Sequence, residues 1–241
     1  MPGVLFQVLT FALLPVAATI AGGVIATYRP PGPRVRSAIQ HFAAGVVFAA
    51  VAVELLPDIV HERAPVAAAI GFALGVGLLL LIKWATERSG QRGLETTSGA
   101  TSLIVTLGID IAIDGLLIGI GLATGGKQGT LILVALTLEV LFLGLSAAAS
   151  LGNSGASRGR TIGTVVGLSA LLMVGAAVGA LLLGGLSGSP REAVLTFGAA
   201  ALLYLVTEEL LVEAHEVPET SAITATFFVG FLLLLIIDMI A

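Results

Sequence analysis

Apolar segments long enough to cross a lipid bilayer recur along the whole chain. A spanning helix needs about 20 predominantly apolar residues, and this chain of 241 residues is 57% hydrophobic and only 11% charged. An ordinary soluble domain carries about a quarter charged residues. We therefore predict an all-α membrane protein with a single transmembrane domain over residues 1–241. About eight spans are predicted, near residues 4–27, 37–60, 64–86, 101–124, 128–151, 161–187, 191–214 and 221–240.

Composition excludes several classes of function. The chain has no cysteine, which excludes disulfide scaffolds, thiolate metal sites and thiol nucleophiles. Its net charge of −4 offers no basic surface for nucleic acid. The first apolar segment, Val4 to Thr27, is predicted as a spanning helix and not as a signal peptide, because no basic flank precedes it. Any chemistry must therefore use oxygen and imidazole groups inside a membrane domain.

The basic residues predict an orientation in the cell (inner) membrane. Cytoplasmic connections of membrane proteins are enriched in Lys and Arg. Eight basic residues lie at the odd-numbered connections and three at the even-numbered ones. We expect the odd connections in the cytoplasm and both termini outside it. The odd set comprises Arg29, Arg34, Arg36, Lys83, Arg88, Arg92, Arg158 and Arg160, and the even set comprises Arg63, Lys127 and Arg191.

Three acidic residues are predicted near the middle of the fourth and fifth spans. Asp110 and Asp114 are four residues apart and share one helix face, and Glu139 falls opposite them if the two helices are antiparallel neighbours. Charged groups inside a membrane are costly and usually mark an ion or proton path. No Lys or Arg is predicted inside a span as their partner. The alternatives are a divalent-cation site, a proton relay without metal, or protonated carboxyls that are hydrogen-bonded within the protein.

Further acids and histidines lie toward the ends of the second and seventh spans. Carboxylate and imidazole groups are common ligands of divalent metals, although such residues near an interface are ordinarily solvated. We predict them as steps on an entry or exit path for a metal ion. They are Glu54, Asp58, His61, Glu208, Glu209, Glu213 and His215.

The segments at residues 42–58, 197–215 and 231–241 resemble those of bacterial ZIP (Zrt/Irt-like) divalent metal transporters. Residues 197–215, FGAAALLYLVTEELLVEAH, resemble the seventh helix of that family, residues 42–58 its second helix and residues 231–241 its last. The resemblance implies an eight-helix bundle with inverted first and last three-helix units and both termini outside. It also implies a homodimer in which one group of helices moves against a scaffold, as in an elevator.

The fourth and fifth spans depart from the family pattern. The family has His-Asn-x-Pro-Glu-Gly on its fourth helix, where this chain has Asp110-Ile-Ala-Ile-Asp114-Gly115, and Glu139 is what remains of the fifth-helix motif. The resemblance implies a metal site of Asp110, Asp114 and Glu139. Ile111 and Leu136 stand where ligands of a second metal would be, which argues against a binuclear site. All-oxygen ligands favour Mn²⁺ or Fe²⁺, while Zn²⁺, Co²⁺ and Cd²⁺ stay open.

The expected function is transport of a divalent metal cation, with uptake as the direction usual in the family. We expect no enzyme activity, no organic cofactor and no nucleic-acid partner. One alternative is a homologue that binds or senses metal without moving it. A less favoured one is an intramembrane aspartyl hydrolase with Asp110 and Asp114 as its dyad, although both acids lie on one helix.

Overall fold

In a computed structural model of the protein, the described residues form eight long helices in one bundle. The structure describes residues 2–93, 99–124, 126–183, 186, 188–218 and 220–240, and these contain no β-strand. The helices are α1 (Pro2–Tyr28), α2 (Pro33–Glu62), α3 (Pro65–Gly93), α4 (Gly99–Thr124), α5 (Gly126–Asn153), α6 (Arg158–Leu183), α7 (Ser189–Ala214) and α8 (Ser221–Ile240).

The helices have the length and the surface of membrane-spanning elements. Seven of them are long and apolar enough to cross a bilayer. Large apolar side chains point away from the bundle, as in Phe6 (75% exposed), Val66 (72%) and Phe228 (65%), which a water-soluble surface rarely tolerates in such number. The prediction of an all-α membrane protein is confirmed. The count of eight spans stays a prediction, because α4 is not among the seven.

The predicted segments match the helices, with differences at their ends. The helix α3 continues to Gly93 instead of ending near residue 86, and α2 begins at Pro33 instead of residue 37. Proline at the first position of a helix has the φ angle that a helix requires and needs no partner for its missing N–H. Residues 184, 185 and 187, within the sixth predicted span, lie outside the described residues.

The bundle consists of two groups of four helices. In the first group α1 packs on α5 and α6, and α4 packs on α6 and α5. In the second group α2 packs on α8, and α3 packs on α7. The main contact between the groups is that of α2 with α5. The fourth and fifth helices, which carry the predicted central acids, therefore belong to one group, and the acids of α7 belong to the other.

Glycines bring helix backbones into direct contact within each group. A Cβ added at Gly45 of α2 would lie 1.9 Å from the carbonyl oxygen of Phe227 in α8. In the other group, a Cβ at Gly175 of α6 would lie 2.2 Å from the carbonyl oxygen of Ala112 in α4. Small residues permit such close approach, and packing of this kind stabilises helix pairs in lipid. Helix pairs within each group are thus in backbone-to-backbone contact.

Two glycines of α3 have the same packing role. Gly71 and Gly75 lie against the backbone of α7, at Ala193 and Phe197, whereas Gly77 of the same run has no heavy atom within 4 Å of an added Cβ. Gly71 and Gly75 therefore lie against a helix of their own group.

Two helices contain a π-helical segment that was not predicted. The segments are Val51–Leu55 in α2 and Leu205–Leu210 in α7. In α2 the segment precedes Pro57. In a regular α-helix the ring of a proline clashes with the carbonyl group four residues before it. In α7 the hydroxyl of Thr207 donates to the carbonyl of Leu203 at 2.9 Å, a contact that often bends helices. Each segment carries acidic residues, and π segments are frequent at functional sites.

Candidate ion-binding cleft

A cleft of about 670 Å³ opens between the two groups of helices. Its mouth lies at the end of the bundle where α2 begins and α5 ends, as Arg36 and Asn153 among its lining residues indicate. Its inner part reaches Asp110 of α4 and Glu139 of α5, each near the middle of its helix. The cleft therefore connects one end of the bundle with the predicted central acids.

The charged residues that line the cleft are mostly acidic. Among its lining residues, six are acidic and two are basic. Such an excess of one sign of charge in a narrow cleft concentrates ions of the opposite sign. The acidic ones are Asp110, Glu139, Glu208, Glu209, Glu213 and Glu216, and the basic ones are Arg36 and Lys83.

One face of α5 extends from the buried acid to the mouth of the cleft. Glu139 is followed on this face by Ser146, Ser150 and Asn153, at spacings that keep residues on one side of a helix. Their side chains offer oxygen atoms along the wall. These three residues were not predicted as site residues, although the helical spacing from Glu139 was visible in the sequence.

Asp114 and Glu139 are buried without sufficient hydrogen-bond partners. Asp114 is 0% exposed and Glu139 is 1% exposed. Within the part of the chain that the structure describes, both carboxylate oxygens of Asp114 and Oε2 of Glu139 have no hydrogen-bond partner. Burial of an uncompensated carboxylate costs several kcal/mol. These oxygens therefore need a proton or a cation.

Four carboxyl groups act on one another at the inner end of the cleft. The charge of Asp110 acts on Asp114 and Glu139, and the charge of Glu209 from α7 acts on all three. We call Asp110, Asp114, Glu139 and Glu209 the deep acidic cluster. It joins the two helix groups, since Glu209 comes from the second one.

The deep acidic cluster is not a formed coordination site. Among the described residues, no three His, Asp or Glu side chains stand in a geometry that could hold a metal ion. Asp110 and Glu209 are only half-buried and line the cleft.

The acids nearer the mouth have partners that were not predicted. The amide of Gln40 donates to Oε2 of Glu213 at 2.5 Å, and the guanidinium of Arg36 lies 4.0 Å from carboxylate oxygens of both Glu213 and Glu216. Arg36 and Gln40 are four residues apart at the start of α2, on one face of the helix. That spacing is the signal in the sequence that could have identified them.

Lys83 corrects one expectation. It was counted with the third connection, as a residue at the end of the predicted span 64–86, and no basic partner of the acids was expected inside a span. It lies within α3 and lines the cleft. Its ammonium group donates to Oε2 of Glu208 at 2.9 Å. Residue 83 already fell inside the predicted span, and its contact with Glu208 depends on how α3 and α7 pack, which the sequence pattern does not show.

The remaining predicted path residues lie outside the lining of this cleft. Glu54 is buried, Asp58 is half-buried and His61 is exposed, all toward the other end of α2. His215 is exposed at the end of α7, where its ring lies 5.3 Å from that of His41. Among the predicted path residues, Glu208, Glu209 and Glu213 line the cleft together with Asp110 and Glu139. Asp114 is not one of its lining residues.

The fold and the cleft together define a class of protein, a helical membrane protein with an acid-lined cleft that ends at buried carboxylates. Comparison with known proteins adds no family to this description. No family model matches the chain, and no curated protein matches it.

Proposed function

We propose that the protein transports a divalent metal cation across the cell membrane by way of Asp114 and Glu139. The observation that carries the proposal is the set of three carboxylate oxygens on these residues, buried and without hydrogen-bond partners among the described residues, beside a cleft that opens at one end of the bundle. The resemblance of α2 and α7 to ZIP transporters supports the same function.

A cation accounts for the deep acidic cluster better than hydrogen bonding within the protein does. The oxygens in question accept no hydrogen bond from the described residues, so the alternative of protonated carboxyls held by backbone or hydroxyl partners has no contact in its favour. Four carboxyl groups repel one another in a poorly solvated interior, and a divalent ion would offset that repulsion. Hard oxygen ligands favour Mn²⁺, Fe²⁺ or a similar ion, with Zn²⁺, Co²⁺ and Cd²⁺ as further candidates.

The two groups of helices supply a means of alternating access. The tightest backbone contacts, such as those of Gly45 and Gly175, are inside each group, so each group is able to move as a unit. We propose that the group of α1, α4, α5 and α6 carries the ion past the other group. Glu54, Asp58 and His61 would then meet the ion at the opposite end of the bundle. The cleft described above would connect the buried carboxylates with the cytoplasm.

Uptake into proteoliposomes tests the proposed function. We expect saturable uptake of at least one ion among Mn²⁺, Fe²⁺, Zn²⁺, Co²⁺ and Cd²⁺, with the hard ions preferred because the ligands are carboxylates. Tracer uptake or an encapsulated metal indicator measures it, with protein-free liposomes as the control. Binding of an ion by folded protein without any uptake would replace transport with the alternative of a binding or sensing protein.

Acidification should inhibit transport. Carboxylates bind metal only when they are deprotonated, so the initial rate should fall as the pH of the ion-containing side decreases from about 8 to about 5. The rate is measured with the pH of the other side and the membrane potential held constant. A rate that rises on acidification would contradict the carboxylate site and favour a proton-driven step as the limiting one.

A further inference from the structure

The Lys83–Glu208 pair places a fixed positive charge on the route between the deep acidic cluster and the mouth of the cleft. Lys83 Nζ lies 2.9 Å from Glu208 Oε2, and the two side chains are 45% and 44% exposed. Both residues line the cleft, as do Asp110 and Glu209. The charge of Lys83 also acts on Glu209, which is a member of the deep acidic cluster.

We infer that the ammonium group of Lys83 competes with the transported ion for Glu208 and Glu209, and so promotes release of the ion toward the mouth. This inference rests on the proposed function. An ion that leaves Asp114 and Glu139 toward the mouth passes Glu209 and Glu208, which both line the cleft. Lys83 is already bound to one of these carboxylates and repels a divalent ion at the other.

The stability of the fold does not explain the position of this pair. Ion pairs with side chains as exposed as these contribute little to stability, because solvent screens them. The helices α3 and α7 are instead joined by backbone contact, since an added Cβ at Gly71 would lie 2.1 Å from the carbonyl oxygen of Ala193. The ion pair is therefore not needed to hold α3 and α7 together.

The pair is fixed in the group of helices that does not carry Asp114 and Glu139. Lys83 belongs to α3 and Glu208 to α7, and these two helices pack on one another. When the other group moves, Asp110, Asp114 and Glu139 change their distance from Lys83, whereas Glu208 keeps it. Lys83 thus acts on the ion only in the arrangement in which the deep acidic cluster faces the present cleft.

A second cation of the cleft has a different relation to its acids. Arg36 lies 4.0 Å from both Glu213 and Glu216, nearer the mouth, where the ion has already left the deep acidic cluster. Two basic residues line the cleft in the described part of the chain. Of these, Lys83 is the one whose charge acts on Glu209. The competition is therefore assigned to Lys83 and not to Arg36.

Removal of the charge tests the inference. In Lys83→Gln we expect binding of Mn²⁺, measured by calorimetry on folded protein in detergent, to become about tenfold tighter, since one repelling charge is lost. The maximal uptake rate and the KM should both fall, because release becomes slower. Lys83→Arg keeps a positive charge and should restore both values. The matched control is Arg88→Gln, because Arg88 is a cation of the same helix that stacks on Trp84 and does not line the cleft.

Two outcomes overturn the inference, and a third concerns the function itself. Unchanged Mn²⁺ binding in Lys83→Gln, or an equal change in Arg88→Gln, would contradict competition by Lys83. If Lys83→Gln does not fold, the exchange Lys83→Glu with Glu208→Lys is used, and it should bind Mn²⁺ as the unaltered protein does; tighter binding would again contradict the inference. Absence of ion binding and uptake in the unaltered protein would instead disprove the proposed function.

Discussion

Asp114→Asn should weaken binding of the transported ion by about 100-fold or more, because it removes a buried charged ligand that no other described group replaces. The side chain is 0% exposed, so neither solvent nor a neighbouring residue restores the lost charge. Calorimetric titration with Mn²⁺ measures the loss. The increase in melting temperature that a bound ion gives the unaltered protein should disappear as well.

The same substitution should leave the fold intact. Asparagine has nearly the shape of aspartate and removes one of the four carboxyl groups of the deep acidic cluster, so the melting temperature without added ion should not decrease. The matched control is Glu62→Gln, because Glu62 is exposed and lies outside the cleft lining. Unchanged ion affinity in Asp114→Asn would contradict the role of Asp114 as a ligand, and a lower melting temperature in the absence of ion would assign it a structural role.

Among the glycines named above, Gly45 is the one at which a change to alanine should destabilise the protein most. The added Cβ would lie 1.9 Å from the carbonyl oxygen of Phe227, and backbone atoms cannot move away as a flexible side chain can. From α8, a Cβ at Gly230 would similarly lie 2.2 Å from the carbonyl oxygen of Phe42, so the two helices touch at both positions. We expect a loss of roughly 1–3 kcal/mol in the free energy of unfolding.

Gly77→Ala is the matched control for this prediction. An added Cβ at Gly77 has no heavy atom within 4 Å, and alanine favours a helix over glycine by roughly 0.5–1 kcal/mol. Its melting temperature, followed by the fluorescence of the single tryptophan, Trp84, should be unchanged or higher. Equal effects of the two substitutions would show that α2 and α8 do not meet at Gly45.

Hydropathy predicted the helices well because the bilayer imposes one length on every span. The class of fold and the positions of the eight long segments follow from apolar runs of about 20 residues. Their ends do not follow, as the extension of α3 to Gly93 illustrates. A helix that extends beyond the apolar part of the bilayer can have polar residues in its last turn. Hydropathy therefore does not show where such a helix ends.

The central acids could be predicted because their spacing is local. Asp110 and Asp114 share a face by helical geometry alone, and the short connection to the next helix positions Glu139 near them. Their proximity to Glu209 depends on how the two helix groups pack, which no local pattern specifies. The same holds for the contact of Lys83 with Glu208, two residues that are far apart in the chain.

The π segments are the feature of α2 and α7 that the sequence did not predict. Pro57 is a visible signal, but proline in a helix is compatible with a kink or a break as well as a π segment. Thr207 gives a weaker signal, since a threonine that donates to a preceding carbonyl is also found in regular helices. The choice among these outcomes depends on the neighbours that each helix contacts.

The most direct test of the central claim is uptake of the preferred ion into proteoliposomes by the unaltered protein, Glu139→Gln and Glu62→Gln. Glutamine keeps the shape of Glu139 and removes its charge, so we predict that uptake by Glu139→Gln falls to the level of protein-free liposomes. Glu62→Gln should transport as the unaltered protein does. Substantial uptake by folded Glu139→Gln would contradict the claim that the ion crosses the membrane by way of the buried carboxylates.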